Sequence, residues 1–236
     1  MTHIPANHGA DRPCVGIIML DTRFPRIRGD IGNPDTFDFP VRFSVVKGAS
    51  QDRIVRRPDP SLIDPFIHAG QTLIQDGAVI ITTSCGFLSL FHTQLTRALT
   101  VPVFSSSLLQ IPLARAVISP LRKVGIITAS RSALTPEHLS AIGIDDRGLV
   151  CIGMEHAAEF SSVFLGDKPT LDQDRCAAEM QSATKRLIQQ HPDVGAIVLE
   201  CTNMPPYSRV VRKAAGGLPV FDAVTMINYA WRVIRP

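Results

Sequence analysis

The stretch VIITTSCGFLSLF, residues 79–91, decides how the rest of the chain is read. An apolar, β-rich run over residues 78–82 predicts a buried strand, Thr83-Ser84-Cys85-Gly86 a polar turn, and the residues after it an amphipathic helix. Cys85 therefore stands at the carboxyl end of a strand and the amino end of a helix. In an open α/β sheet that is the crevice where ligands bind, and N–H groups at a helix start favour a thiolate. The chain does this twice. VGAIVLECTNMPPYSRVV, residues 194–211, is again an apolar run closed by a cysteine, Cys201, followed by small polar residues and a helix opening with Pro205-Pro206.

Outward from these two stretches the duplication continues. CVGIIMLD, from Cys14, is mirrored by KVGIITAS, from Lys123; DGAVIITTSC by DVGAIVLEC; and VPVF, from Val101, by LPVF, from Leu218. Three matched elements in one order at similar separations mark two half-domains of a single design. Between them, residues 41–49 alternate as a strand, and residues 61–75, 108–119 and 171–190 read as helices, the last capped by Thr170. The expected fold is α/β: two pseudo-symmetric Rossmann-like lobes, each a mostly parallel sheet flanked by helices, with the active site in the cleft between them. Residues 23–39, RFPRIRGDIGNPDTFDF, have scattered Pro and Gly and no period, so they form a long ordered loop over the same crevice as Cys85. Residues up to Pro13 read as a loose polar arm.

Composition narrows the partners. A net charge of +3 with no basic tract or aromatic-basic stripe argues against nucleic acid and membrane surfaces. No apolar run is long enough to span a bilayer, and the first residues lack the charged-then-apolar order of a secretion signal, so the expected location is the cytoplasm. The five cysteines, Cys14, Cys85, Cys151, Cys176 and Cys201, form no close pair, so neither a zinc knuckle nor a CxxC redox site is available. P-loop, GxGxxG and HExxH motifs are absent.

Two lobes related by a pseudo-twofold axis bring Cys85 and Cys201 face to face. With a small chiral acid between them, one thiolate removes a Cα proton and the opposite thiol delivers one to the other face, which in principle needs no cofactor.

The residues at these positions resemble the aspartate/glutamate racemase superfamily, which takes in aspartate, glutamate and hydantoin racemases, arylmalonate decarboxylase and maleate isomerase. The resemblance spans nearly the whole chain and is carried by the two strand-end cysteines, by Cys201-Thr202 where the family writes Gly-Cys-Thr, and by Asp21-Thr22 where glutamate racemases write Asp-Ser. It implies catalysis without pyridoxal phosphate or metal, Cys85 and Cys201 as opposed acid and base, and a substrate carboxylate bound by Thr83, Ser84, Gly86, Thr202 and Asn203 of the cysteine loops. Asp21 and Thr22 are placed with these substrate-binding residues, and Asp21 would also orient a thiol. The resemblance also divides the chain into a first lobe of residues 1–106 plus 219–236 and a second of residues 107–218, and dimers are common in the family.

Three departures stand out: Gly86-Phe87 for the usual Asn-Thr, Asn203 for His or Glu, and Glu200 for Gly, the last expected to point away from the cleft by strand alternation. They leave the thiol pair intact and weigh against an α-amino-acid substrate. The expected activity is a cofactor-independent racemase or epimerase, an isomerase, acting on a small chiral carboxylic acid, an amino acid or a hydantoin-like derivative. Alternatives are a decarboxylase or cis-trans isomerase on the same scaffold, or a non-catalytic binder of small acids.

Overall fold

The structure, a computed structural model, describes residues 12–234, so the expected N-terminal arm lies outside the described residues except for Arg12 and Pro13. Two four-stranded parallel sheets form the frame. The first has the order β2-β1-β3-β4, from β1 (Cys14–Leu20), β2 (Val41–Val46), β3 (Ala78–Thr83) and β4 (Val103–Phe104). The second repeats it as β6-β5-β7-β8, from β5 (Lys123–Thr128), β6 (Leu149–Gly153), β7 (Val194–Leu199) and β8 (Val220–Phe221). All pairings are parallel. This explains the continuous apolar runs of the central strands: a sheet covered on both faces has no polar face to alternate with, and β1 and β7 are buried along their whole length.

The duplication reaches the register itself. β1 slips against β3 between Cys14 and Val15, and β5 slips against β7 between Lys123 and Val124. The repeated Val-Gly-Ile-Ile has a packing cause. A Cβ on Gly16 would meet the side chain of Leu73 in helix α1 (Ile63–Gln75), and one on Gly125 that of Leu187 in the long helix at residues 173–190. In each lobe the bare glycine lets one helix lie close on the central strand.

The other helices are α2 (His92–Ala98), α3 (Ile111–Ala116), α4 (Pro136–Ser140), α5 (Ala158–Phe164), α6 (Gln173–Gln190), α7 (Ser208–Ala214) and α8 (Ala223–Ile234). Residues 108–119 were expected as one helix; they form a 3-10 turn, Ser107–Gln110, followed by the shorter α3. The cap of α6 is Asp172, whose carboxylate accepts the Arg175 N–H at 3.0 Å, not Thr170. The lobes exchange elements at their junction. α8 packs its Ala223, Met226, Ile227 and Ala230 onto Val15, Ile17 and Ile80 of the first sheet, whereas β8 pairs with β7. The crossover therefore falls after Phe221, and residues 219–221, assigned with the first lobe from sequence, belong to the second sheet. Among the described residues, no helix is long and apolar enough to cross a membrane.

Candidate active site

β3 and β7 are the equivalent third strands of their sheets, and each ends in a cysteine loop. Cys85 and Cys201 are both buried and line one small cavity of about 20 Å³. Thr202 Oγ1 donates to the Ser84 carbonyl at 2.6 Å, fastening the loops to each other, and Ser107 Oγ donates to the carbonyls of Leu199 and Glu200 at 2.6 and 3.1 Å. The walls come from both lobes: Leu20, Thr22, Phe24, Arg26, Gln51, Val55 and Phe87 from the first, and Ala129, Phe164, Leu165, Glu200 and Asn203 from the second.

Loop 23–39 does lie over the crevice, and its contribution is charge. Arg26 reaches the cavity with its guanidinium 4.3 Å from the Phe24 ring centroid, its Nη2 on Thr22 Oγ1 at 3.1 Å and its Nη1 on the buried Asp30 carboxylate at 3.1 Å. Asp30 continues to the second loop, accepting from Asn203 Nδ2 at 2.7 Å, and Asn203 Oδ1 accepts from Cys201 Sγ at 3.4 Å. The loop is pinned to the opposite lobe by Asp167, which accepts the Arg23 backbone N–H at 2.7 Å and Nε at 2.9 Å.

The sequence-derived site residues fall into four groups. Cys85, Cys201, Ser84, Thr22 and Asn203 line the cavity, although Ser84 Oγ accepts the Leu20 N–H at 2.9 Å and so also anchors its own loop. Thr83 and Thr202 are structural: the Thr83 hydroxyl is turned to the carbonyls of Ser105 and Cys85, at 2.7 and 3.0 Å, and that of Thr202 to Ser84. Gly86 acts by what it lacks, because a Cβ there would overlap Glu200 Oε1 and the Glu200 carbonyl. Asp21 needs correction. Its carboxylate accepts the Gly48 N–H at 3.1 Å and faces Lys47, which hold it below the usual carboxylate range; it does not line the cavity and touches no thiol.

Glu200 needs the opposite correction. β7 ends at Leu199, so strand alternation stops one residue short of it, and the side chain turns into the cavity, fully buried. Its Oε2 accepts from Thr128 Oγ1 at 2.8 Å and the Ala129 N–H at 3.3 Å, while Oε1 has no hydrogen-bond partner. Burial pushes its carboxyl up to about 7 despite those two donors. Burial, with the Glu200 charge behind it, also pushes the Cys85 thiol up to about 12, outweighing the N–H groups of Phe87 and Leu88 and the Arg26 guanidinium. The turn at Gly86–Phe91 is 3-10, and the expectation that a helix start would by itself favour a thiolate fails against desolvation. Cys201 is likewise raised, by burial, Glu200, Cys85 and Asp30.

Arg26 and Glu200 are thus the charged cavity residues that sequence reasoning missed. A long aperiodic loop rich in arginine, and a charged residue in place of glycine beside a catalytic-type cysteine, were the available signals. Among the described residues, no group of three or more His, Cys, Asp or Glu is placed to hold a metal ion.

With this geometry in hand, residues 55–227 match the Asp/Glu/Hydantoin racemase family, and the chain belongs to that family. Within it, the chain is 31% identical over 222 residues to the dimethylsulfoniopropionate lyase of Durusdinium sp. clade D, covering 91% of this chain and 73% of that protein. It is 31% identical over 229 residues to dimethylsulfoniopropionate lyase 3 of Emiliania huxleyi (strain CCMP1516), covering 93% of this chain but only 59% of that one. The two-lobe fold is shared with solved structures such as the Gly74Cys mutant of arylmalonate decarboxylase in its sulfate-associated form, at a TM-score of 0.62 and 16% identity over 94% of this chain and 93% of that one. These findings correct the expected racemase activity and isomerase class: relatives at about a third identity are named lyases, and the family's racemase label describes the scaffold.

Proposed function

We propose that this chain is a lyase that splits dimethylsulfoniopropionate by β-elimination, giving dimethyl sulfide and acrylate. The observation that carries this reading is the composition of this cavity: two thiols, a guanidinium and an aromatic-apolar wall enclosed together. It suits a small zwitterion. The carboxylate pairs with Arg26, a charge-assisted contact, and the dimethylsulfonio cation packs against the wall made by Phe87, Phe164, Leu20, Val55 and Leu165.

Pairing the carboxylate with a guanidinium makes the adjacent Cα–H easier to remove. The Cys85 thiolate takes that proton, the C–H electron pair becomes the Cα=Cβ bond, and the Cβ–S pair leaves on sulfur. The sulfonium departs as a neutral thioether, so no acid is needed at the leaving group.

The surroundings of the two cysteines support elimination over racemisation. Racemisation needs two thiols that exchange roles, whereas Cys85 has the Arg26 cation lowering its thiol, and Cys201 has its S–H on Asn203 and the Asp30 carboxylate behind it. Cys85 is the base and Cys201 remains protonated, its S–H turning from Asn203 to the charge that develops on the substrate carboxylate. A reaction that depends on free thiols suits a reducing compartment, and the cytoplasm is the location we assign. The direct test is to incubate the purified protein with dimethylsulfoniopropionate and follow dimethyl sulfide by headspace gas chromatography and acrylate by proton NMR. Equal release of both supports the reading; no dimethyl sulfide above the buffer rate sinks it.

A further inference from the structure

We propose that Glu200 is the proton acceptor for the thiol of Cys85: its carboxylate takes the S–H proton and leaves a thiolate facing the cavity. The geometry is specific. Glu200 is fully buried, its Oε2 is anchored to Thr128 and Ala129, and its Oε1 has no partner while lying against Gly86, the residue that follows Cys85. An unpaired carboxylate oxygen at full burial is costly, and here it is kept at the seam of the two cysteine loops. The glycine at 86 is what leaves room for it.

The titratable groups that feel this carboxyl's charge are Cys85 on the β3 loop, Cys201 on its own loop and Cys151 on β6; Arg26 of loop 23–39 lines the same cavity, Asp30 of that loop acts on Cys201, and Arg131 and Glu155 act on Cys151. Of the thiols, Cys85 is the one that has Arg26 lowering it. Glu200 is therefore the group that ionises first, and proton transfer from Cys85 to it exchanges one buried anion for another, with no net charge change in the cavity. The balance is simple: S–H plus carboxylate become thiolate plus carboxylic acid. In turnover, which rests on the elimination reading above, the thiolate takes the Cα proton to restore S–H, and Glu200 returns its proton to solvent. Glu200 acts through Cys85 and is a positioning residue.

Two coupled groups sharing one proton titrate as a pair, and this gives a signature that needs no substrate. Alkylation of the wild-type protein by iodoacetamide, read by mass spectrometry of the Cys85 peptide, should rise with pH up to about 7, where Glu200 ionises, and then level off. Above that pH the pair has lost one proton and the thiolate fraction is fixed. In Glu200→Gln the thiol ionises alone, and the rate should climb roughly tenfold per pH unit with no break from pH 6 to 9. Glu200→Asp should keep a break. A wild-type profile that climbs through pH 7 to 9 without levelling overturns the proposal, even if Glu200→Gln fails to fold, as does a break that persists in folded Glu200→Gln. A break in a protein that releases no dimethyl sulfide keeps this inference and removes the lyase reading.

Discussion

The loops at Ser84-Cys85-Gly86 and Glu200-Cys201-Thr202 occupy the same place in two sheets of the same order, yet their electrostatic settings differ. Glu200 raises both thiols, but Cys85 also faces the Arg26 guanidinium and the N–H groups of Phe87 and Leu88, whereas Cys201 faces the Asp30 carboxylate and the side-chain oxygen and N–H of Asn203. Both differences enter from outside the duplicated elements. Arg26 and Asp30 belong to loop 23–39, and the second lobe has no matching loop after β5, where residues 129–135 run quickly into α4. Duplication fixed where the sulfurs sit, and a single unduplicated loop gave them different surroundings.

The asymmetry is most open to attack at the thiols. Cys85→Ser should reduce dimethyl sulfide release by about 10³-fold or more, because a general base of this kind supplies 10²–10⁴, while Cys201→Ser should cost about tenfold to a hundredfold, the loss of one donor to developing charge. Equal losses in steady-state assays would restore the symmetric picture. Next in size is the electrostatic cost of Glu200. Its folded-state value of about 7 lies above the ordinary 4.5, so the folded protein holds this proton more tightly. The stability it contributes is present below about pH 4.5 and is lost as pH rises through 7, roughly 3 kcal/mol in all. Measured by urea melts, Glu200→Gln should therefore gain about 3 kcal/mol on the wild type between pH 4.5 and 8; a constant difference would mean that the carboxyl does not titrate there.

Arg26 tests whether the loop reads the substrate. Arg26→Gln should raise KM about tenfold to a hundredfold, the range of a charge-assisted hydrogen bond of roughly 1.5–3 kcal/mol, with a smaller change in kcat. A change confined to kcat would move Arg26 from binding to thiol tuning. The smallest effect belongs to the tie between the lobes. The Arg23 side chain is 76% exposed, so Arg23→Ala should cost about 0.5 kcal/mol or less in thermal melts, since Asp167 keeps the backbone N–H of residue 23. A loss of several kcal/mol would show that loop 23–39 is held by this one pair.

Legibility followed from repetition. Val-Gly-Ile-Ile, the strand-end cysteines and Pro-Val-Phe recur because parallel, doubly covered strands need unbroken apolar runs and a bare glycine beneath each helix; such local demands are written into consecutive residues. The strands and the equivalent cysteines were readable for that reason, and the overhanging loop for the opposite one, a long stretch with no period and scattered Pro and Gly. Asp21 and Glu200 were misplaced because a side chain's direction just past a strand end is set by the turn, which periodicity does not describe. The activity class was misread because a two-cysteine scaffold is common to isomerases and lyases alike.

The amino-acid sequence by itself determined two similar α/β lobes with a cysteine closing the third strand of each, since hydrophobic pattern and glycine placement act over a few residues at a time. The tertiary structure alone decided which charges meet those sulfurs. Arg26 and Cys85 lie far apart along the chain, as do Asp30 and Asn203, and the pull of a charge on a buried thiol depends on distance and desolvation, which exist only once the chain has closed around the cavity.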